Sequence, residues 1–163
     1  MFNFNIDIML FYPRFYKLML LLVVILLAFS FIIFKFPFSL AAPERVSPND
    51  WVREEQIKVY KDKVVLEIPN ALWAGFTNTN SMDPFLDERS NAVEIKPSNP
   101  EAIKVGDVIA YDSPYGTLIH RVVEKGHDQQ GIYYRVKGDN STITDPMKVR
   151  FEQVEGVVVA VIY

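Results

Sequence analysis

Between Leu18 and Phe34 every residue is apolar except Ser30. A run that is apolar all round has no polar face to give to water, so it is covered either by protein or by lipid. With its flanks, 15–38 is long enough to cross a hydrocarbon core of about 30 Å if Lys17 and Lys35 snorkel to the two interfaces. The sequence therefore predicts an N-terminal tail over 1–14, a transmembrane helix over 15–38, a juxtamembrane linker with a short helix over 39–55, and one folded unit over 56–163. The competing reading is a cleaved export signal, in which Arg14 and Lys17 form the basic leading region and Phe38-Ser39-Leu40-Ala41-Ala42 offers small residues for cleavage. The length of the run favours an anchor, and under both readings the remainder is exported. Flanking charge fixes orientation poorly, because Arg14 and Lys17 are balanced by Lys35, Arg45 and Arg53. Before the run, Phe2, Phe4, Ile6 and Ile8 alternate with Asn3, Asn5 and Asp7, a pattern to which no function is assigned.

The 163 residues leave room for one soluble domain after that segment. A formal net charge of -3 without a basic run gives no footprint for phosphate, so nucleic acid is not an expected partner. The chain has no cysteine, which excludes disulfides, thiolate zinc sites and a cysteine nucleophile. Its histidines, His120 and His127, are too few for a multi-histidine centre and lack His-Glu-x-x-His spacing, so no metal or other cofactor is expected.

Beyond the anchor, Ser47-Pro48-Asn49-Asp50 carries a capping serine, a proline at the first helical position and an early carboxylate, predicting a short helix to about Glu55. Trp51 on it rests either at the bilayer interface or on the domain. From there the apolar period is two. Ile57 and Val59, then Val64, Leu66 and Ile68, flank Lys61-Asp62 as a hairpin. Further strands are expected at 92–95, 107–111, 117–124, 132–136 and 156–162, the last buried on both faces. Asp112-Ser113-Pro114-Tyr115-Gly116 and Lys125 to Gly131 separate neighbouring strands as turns. The fold class is mainly β and antiparallel.

A serine hydroxyl needs a base to act as a nucleophile, and the base needs a third group to fix its tautomer. Ser81, His120 and Asp145 or Asp139 are the residues of the right types. Ser81 lies in Asn80-Ser81-Met82-Asp83-Pro84. His120 shares one face of a strand with Leu118 and Val122, while Ile119, Arg121 and Val123 take the other. Both aspartates follow Lys137-Gly138-Asp139-Asn140. Each has a plainer reading: turn residues for Ser81, Asp139 and Asp145, and a satisfied core histidine for His120. His127 falls in a polar turn. Asn140-Ser141-Thr142 is a glycosylation sequon in form only, since a glycan there would crowd the loop that carries the candidate aspartates.

These blocks, Ser81-Met82-Asp83-Pro84, His120-Arg121-Val122 and Lys137-Gly138-Asp139-Asn140 with Asp145, resemble in type and order the signal peptidase I family, in its archaeal and endoplasmic-reticulum form. The resemblance covers about 77–163 and includes Gly106-Asp107-Val108-Ile109 as a structural strand opening. It implies an antiparallel sheet or partly closed barrel of signal peptidase type. It also implies a serine endopeptidase, single-pass in the cell membrane, that removes signal peptides on the extracytoplasmic side with the translocation machinery as a neighbour. By resemblance Ser81 is the nucleophile, His120 the base, Asp145 its orienting partner, Asp139 a support, and Thr79 an oxyanion donor beside the Ser81 N–H. Asn80 departs from the glycine common before the nucleophile, and asparagine tolerates a left-handed backbone better than most residues. Lys137 is the alternative base of a Ser-Lys dyad. The hairpin at 57–68 is less typical of the family.

Two other enzyme readings stand beside this one: a processing peptidase with a narrow client, which shares the triad, and a self-cleaving regulator, a class that uses a serine-lysine dyad and lacks such a membrane segment. A rival of another class is an exported β domain that binds peptides at a sheet edge without cutting them.

Overall fold

The computed structural model describes residues 8–35 and 44–163, with side chains along the first segment described at 15 and 17–30. The chain divides into Met1–Glu44 and Arg45–Tyr163. In the first unit a single helix, α1, runs Ile8–Lys35 over 28 residues, or about 42 Å at about 1.5 Å per residue. It starts inside the expected 1–14 tail, at Ile8, the last member of the alternating pattern. Its side chains from Leu18 to Phe29 are all apolar and exposed. Among the described residues no helix is long and apolar enough to cross a membrane. The stretch with described side chains, 17–30, is itself shorter than the roughly 20 residues a crossing takes. The rest of the alternating pattern and the small residues at 38–42 lie outside the described residues.

The second unit is mainly β, as its period of two requires. A two-stranded hairpin pairs β1 (Ile57–Val59) with β2 (Val64–Leu66), turning through Lys61-Asp62 as expected. The other strands are β3 (Leu72–Gly75), β4 (Asn91–Ile95), β5 (Val108–Ser113), β6 (Gly116–Asp128), β7 (Gly131–Lys137), β8 (Val149–Arg150) and β9 (Val154–Ile162). They form one antiparallel sheet in the order β3-β4-β9-β5-β6-β7-β8. Its terminal strands β3 and β8 do not pair with each other, so the sheet is open, not closed into a barrel.

Alternation along the central strands feeds a core on each face. Ile109 and Tyr111 of β5, Val122 of β6 and Val157 of β9 join one cluster with Tyr134 and Val136. Val108 of β5 and Val158 of β9 join the other, which Met82 and Leu86 cap from the loop after β3. β9 is buried from Gly156 to Val158, but Ile162 and Tyr163 are exposed, so the strand is not covered along its full length. β6 runs on through Lys125 and His127 to Asp128, with only Gln129-Gln130 left as the turn. His127 is thus a strand residue, and it is exposed.

The short helix expected from Ser47 is absent. Residues 47–51 have no regular structure, and only a 3-10 turn forms at Glu54–Gln56. The cause is a competing partner: the Asn49 N–H (2.7 Å) and the Trp51 indole N–H (3.0 Å) both donate to Oδ1 of the fully buried Asp107. Oδ2 of the same carboxylate takes the Lys104 N–H at 2.8 Å. A buried carboxylate left without these donors would be costly, so the segment is held extended and Trp51 packs on the core. Gly106 makes the approach possible, since a Cβ there would lie 2.3 Å from the Ser47 carbonyl oxygen.

Candidate active site

His120 stands opposite Ile109 in the β5–β6 pairing, with Tyr111 opposite Leu118. Residues directly opposite in an antiparallel pair point to the same side, so His120, Leu118, Ile109 and Tyr111 share one face. Asp145 is brought to this face by the loop after β7, where its N–H donates to the Val136 carbonyl at 2.9 Å. Its Oδ2 lies 2.7 Å from His120 Nδ1, and it also accepts the Tyr111 hydroxyl at 2.6 Å. Both the imidazole and the carboxylate are largely enclosed, with side-chain exposures of 13% and 22%. Burial, and then the Asp145 hydrogen bond, push the Tyr111 hydroxyl well above its ordinary range, so it remains a donor.

Asp139 goes elsewhere. It forms a two-pronged pair with Arg121, Nε to Oδ1 and Nη2 to Oδ2, each at 2.7 Å. Arg121 also donates Nη1 to the Gly106 carbonyl at 2.7 Å and lies over the Phe85 ring. Because His120 and Arg121 point to opposite sides of β6, one aspartate meets each. Lys137 Nζ donates to the Ser141 carbonyl at 2.9 Å.

Ser81 follows Asn80, which has φ 56°, the left-handed conformation the sequence anticipates at this position. The turn is pinned to the 138–140 loop: the Asn140 N–H donates to the Ser81 carbonyl at 3.0 Å, and Asn140 Nδ2 to the Asn80 carbonyl at 3.0 Å. The amide of the Asn140-Ser141-Thr142 sequon is thereby engaged within the protein. The Asp139 N–H meets Met82 Sδ at 3.5 Å. Ser81 Oγ has Thr79 Oγ1 as a hydrogen-bond partner at 3.2 Å. No bond from it to His120 Nε2 is present among the described residues; such bonds are often long in a free enzyme and tighten around substrate.

What shows that serine and imidazole are close is a glycine. A Cβ on Gly138 would lie 2.5 Å from the Ser81 carbonyl oxygen and 3.2 Å from His120 Nε2. Ser81, Thr79 and His120 all line one cleft of about 330 Å³. Its walls come from Ala74 and Gly75 of β3 and from 117–120 of β6, and Glu94 of β4 and Ala110 of β5 lie at its buried side.

The structure thus gathers Ser81, Thr79, His120 and Asp145 at one place, and sets Asp139 behind them as a brace on Arg121. Sequence reasoning missed Tyr111, Gly138 and Asn140 as parts of the site. Tyr111 was legible in principle, as a polar-tipped residue just before the Asp112 to Gly116 turn, on the strand paired with His120. Gly138 and Asn140 were not, because their roles depend on a loop 57 or more residues away in sequence. No family model matches the chain, and no curated protein or solved structure matches it either.

Proposed function

We propose that this chain is a membrane-anchored serine endopeptidase resembling signal peptidase I, which removes signal peptides from exported preproteins. The observation that carries the reading is the line Tyr111, Asp145, His120, which ends beside Gly138, with His120 and Ser81 lining a single cleft. Ser81 Oγ attacks the scissile carbonyl as His120 Nε2 takes its proton. Asp145 accepts a hydrogen bond from Nδ1–H, fixing the tautomer and stabilising the imidazolium, which then protonates the leaving amine; water activated by the same imidazole hydrolyses the acyl group from Ser81. The Ser81 N–H and Thr79 Oγ1 receive the oxyanion.

β3 is a terminal strand with one side unpaired, and Ala74 and Gly75 line the cleft. An extended substrate adding to that edge places its backbone across Ser81. The resemblance implies small residues one and three positions before the cut. α1 serves as the anchor in the bilayer, with the β unit on the extracytoplasmic side and the translocation machinery delivering the preprotein. The same edge would serve a module that binds peptides without cutting them, so turnover is the deciding property.

The test is cleavage of a preprotein with an Ala-x-Ala site by the detergent-solubilised full chain and its Ser81→Ala variant, followed by intact mass. A cut at that site by the parent alone is the expected result. Binding without cleavage by both proteins would overturn the enzyme reading, and cleavage by both would remove Ser81 from it.

A further inference from the structure

The cleft holds a buried carboxyl that the proposed chemistry does not use. Glu94 of β4 is 7% exposed and lines the same cleft as Ser81 and His120. Its Oε1 is buried and lacks a hydrogen-bond partner among the described residues. An unpartnered buried polar atom costs stability, and a charged one costs more. Most strand positions facing the interior here carry valine, isoleucine or alanine, so a glutamate at this point has no packing rationale.

The surroundings keep the carboxyl in place. A Cβ on Gly156 would lie 2.7 Å from Glu94 Oε2 and 3.1 Å from Glu94 Cβ, so any larger residue at 156 would displace it. The remaining charged groups of the cleft have one sign: Asp87 and Glu155 line it with Glu94, and neither lysine nor arginine does. Burial first, and Glu155 second, raise the Glu94 pKa, as expected of a carboxyl facing a second carboxyl with no cation between them.

From this geometry we infer that Glu94 determines specificity, and that the cleft takes a peptide carrying a lysine or arginine side chain near the scissile bond, its cation seated on Glu94. This deepens the peptidase reading by naming a substrate feature for the same cleft. A cation beside the carboxylate balances its buried charge, relieves the repulsion from Glu155 and gains from a water-poor setting. A neutral donor such as serine or glutamine meets only the first requirement, and an apolar side chain of equal length meets none and leaves the carboxyl desolvated. Discrimination built on a buried polar partner is large, because the wrong ligand leaves that partner unpaired.

The experiment separates this inference from the peptidase reading by measuring binding without turnover. Fluorescent peptides that differ at one of the four positions before the cut, bearing lysine, glutamine or norleucine, are titrated into the full-length Ser81→Ala protein in detergent. At one position lysine should bind at least about ten-fold more tightly than norleucine, with glutamine between them. Glu94→Gln, made in the same background, should remove the lysine preference. Equal affinity for lysine and norleucine at all four positions would overturn the inference, and that comparison needs no folded Glu94 variant. A lysine preference that survives Glu94→Gln would overturn it too. Lysine-selective binding that depends on Glu94, in a parent protein that cuts none of the peptides, would uphold the role of Glu94 and sink the peptidase reading alone.

Discussion

Tyr111 donates its hydroxyl to Asp145 Oδ2 at 2.6 Å, on the same oxygen that faces His120 Nδ1 at 2.7 Å. The carboxylate is therefore held from two sides, by the backbone bond from its own N–H and by the phenol. Tyr111→Phe removes one restraint and leaves the ring in the core. A hydrogen bond to a charged group contributes about 1.5–3 kcal/mol, only part of which bears on the alignment of the imidazole. We expect kcat to fall about ten-fold with KM little changed, since about 1.4 kcal/mol is one factor of ten. Steady-state kinetics on a cleavable peptide decide it; an unchanged kcat would mean that Asp145 is fixed without the phenol.

The two aspartates separate by substitution. Asp145→Asn should lower kcat by on the order of 10⁴, as expected when the orienting acceptor is lost and the wrong tautomer is favoured. Asp139→Asn leaves His120 untouched and weakens the grip on Arg121. Its main effect should be on stability, about 1–3 kcal/mol for a largely enclosed two-pronged pair, with a much smaller loss of kcat. Parallel kinetics and urea unfolding of both variants test this; comparable losses of kcat would undo the division of roles.

Much of the site was legible in the sequence, and the limits have physical causes. The strands around His120 were visible because alternating apolar residues report a half-buried strand, and His120 keeps the face its period assigns. The turn at Asn80 was visible because asparagine tolerates φ above zero. The helix from Ser47 failed because a capping pattern is local, whereas Asp107, which outcompetes it, lies 58 residues from Asn49. β3 was missed because Leu72-Trp73-Ala74-Gly75 shows no polar alternation, and β8 because its two residues are too few for a period. The same limit applies to Glu94, which alternation places inside but whose lack of a partner only the assembled sheet reveals.

Gly138 faces both proposed catalytic residues, so Gly138→Ala tests their closeness directly. The added methyl would stand 2.5 Å from a backbone oxygen of Ser81, which cannot swing aside as a side-chain end can. Relief requires moving one loop against the other, at a cost of about 1–3 kcal/mol. A shift of about 1 Å at the nucleophile costs on the order of 100-fold in rate. We expect a folded protein with a lowered melting temperature and at least that loss of kcat/KM. Full activity would show that the two loops are not packed as described.

Glu94 makes a prediction about stability that is independent of peptide binding. Its pKa is raised in the folded protein, so folding is disfavoured wherever the carboxyl must ionise, and the penalty disappears as pH falls toward the ordinary glutamate range near pH 4. Glu94→Gln removes the ionisation and keeps the shape. The variant should melt above the parent at pH 8, with the gap narrowing as pH falls to about 4.5. Melting curves across that range check the sign; a variant less stable than the parent at pH 8 would mean that the ionised carboxyl is well solvated.

Asp128 titrates in the opposite sense. It closes the far end of the β6–β7 hairpin, accepting Arg150 Nη2 at 2.9 Å and Lys148 Nζ at 2.7 Å. Those bonds, with Arg150 first, hold its carboxyl well below the usual aspartate range. A depressed folded pKa gives stability that is complete above the unfolded value, near pH 4, and is lost as pH falls through the folded value. Asp128→Asn should therefore lower the melting temperature at pH 6, where the parent has its full benefit, and the two curves should converge below about pH 4. The pair sits among exposed groups, so 1 M salt should shrink the gap at pH 6. A gap that is constant from pH 6 to pH 2 would show that the carboxylate contributes through packing and neutral hydrogen bonds, and that its charge is immaterial to how this hairpin is held.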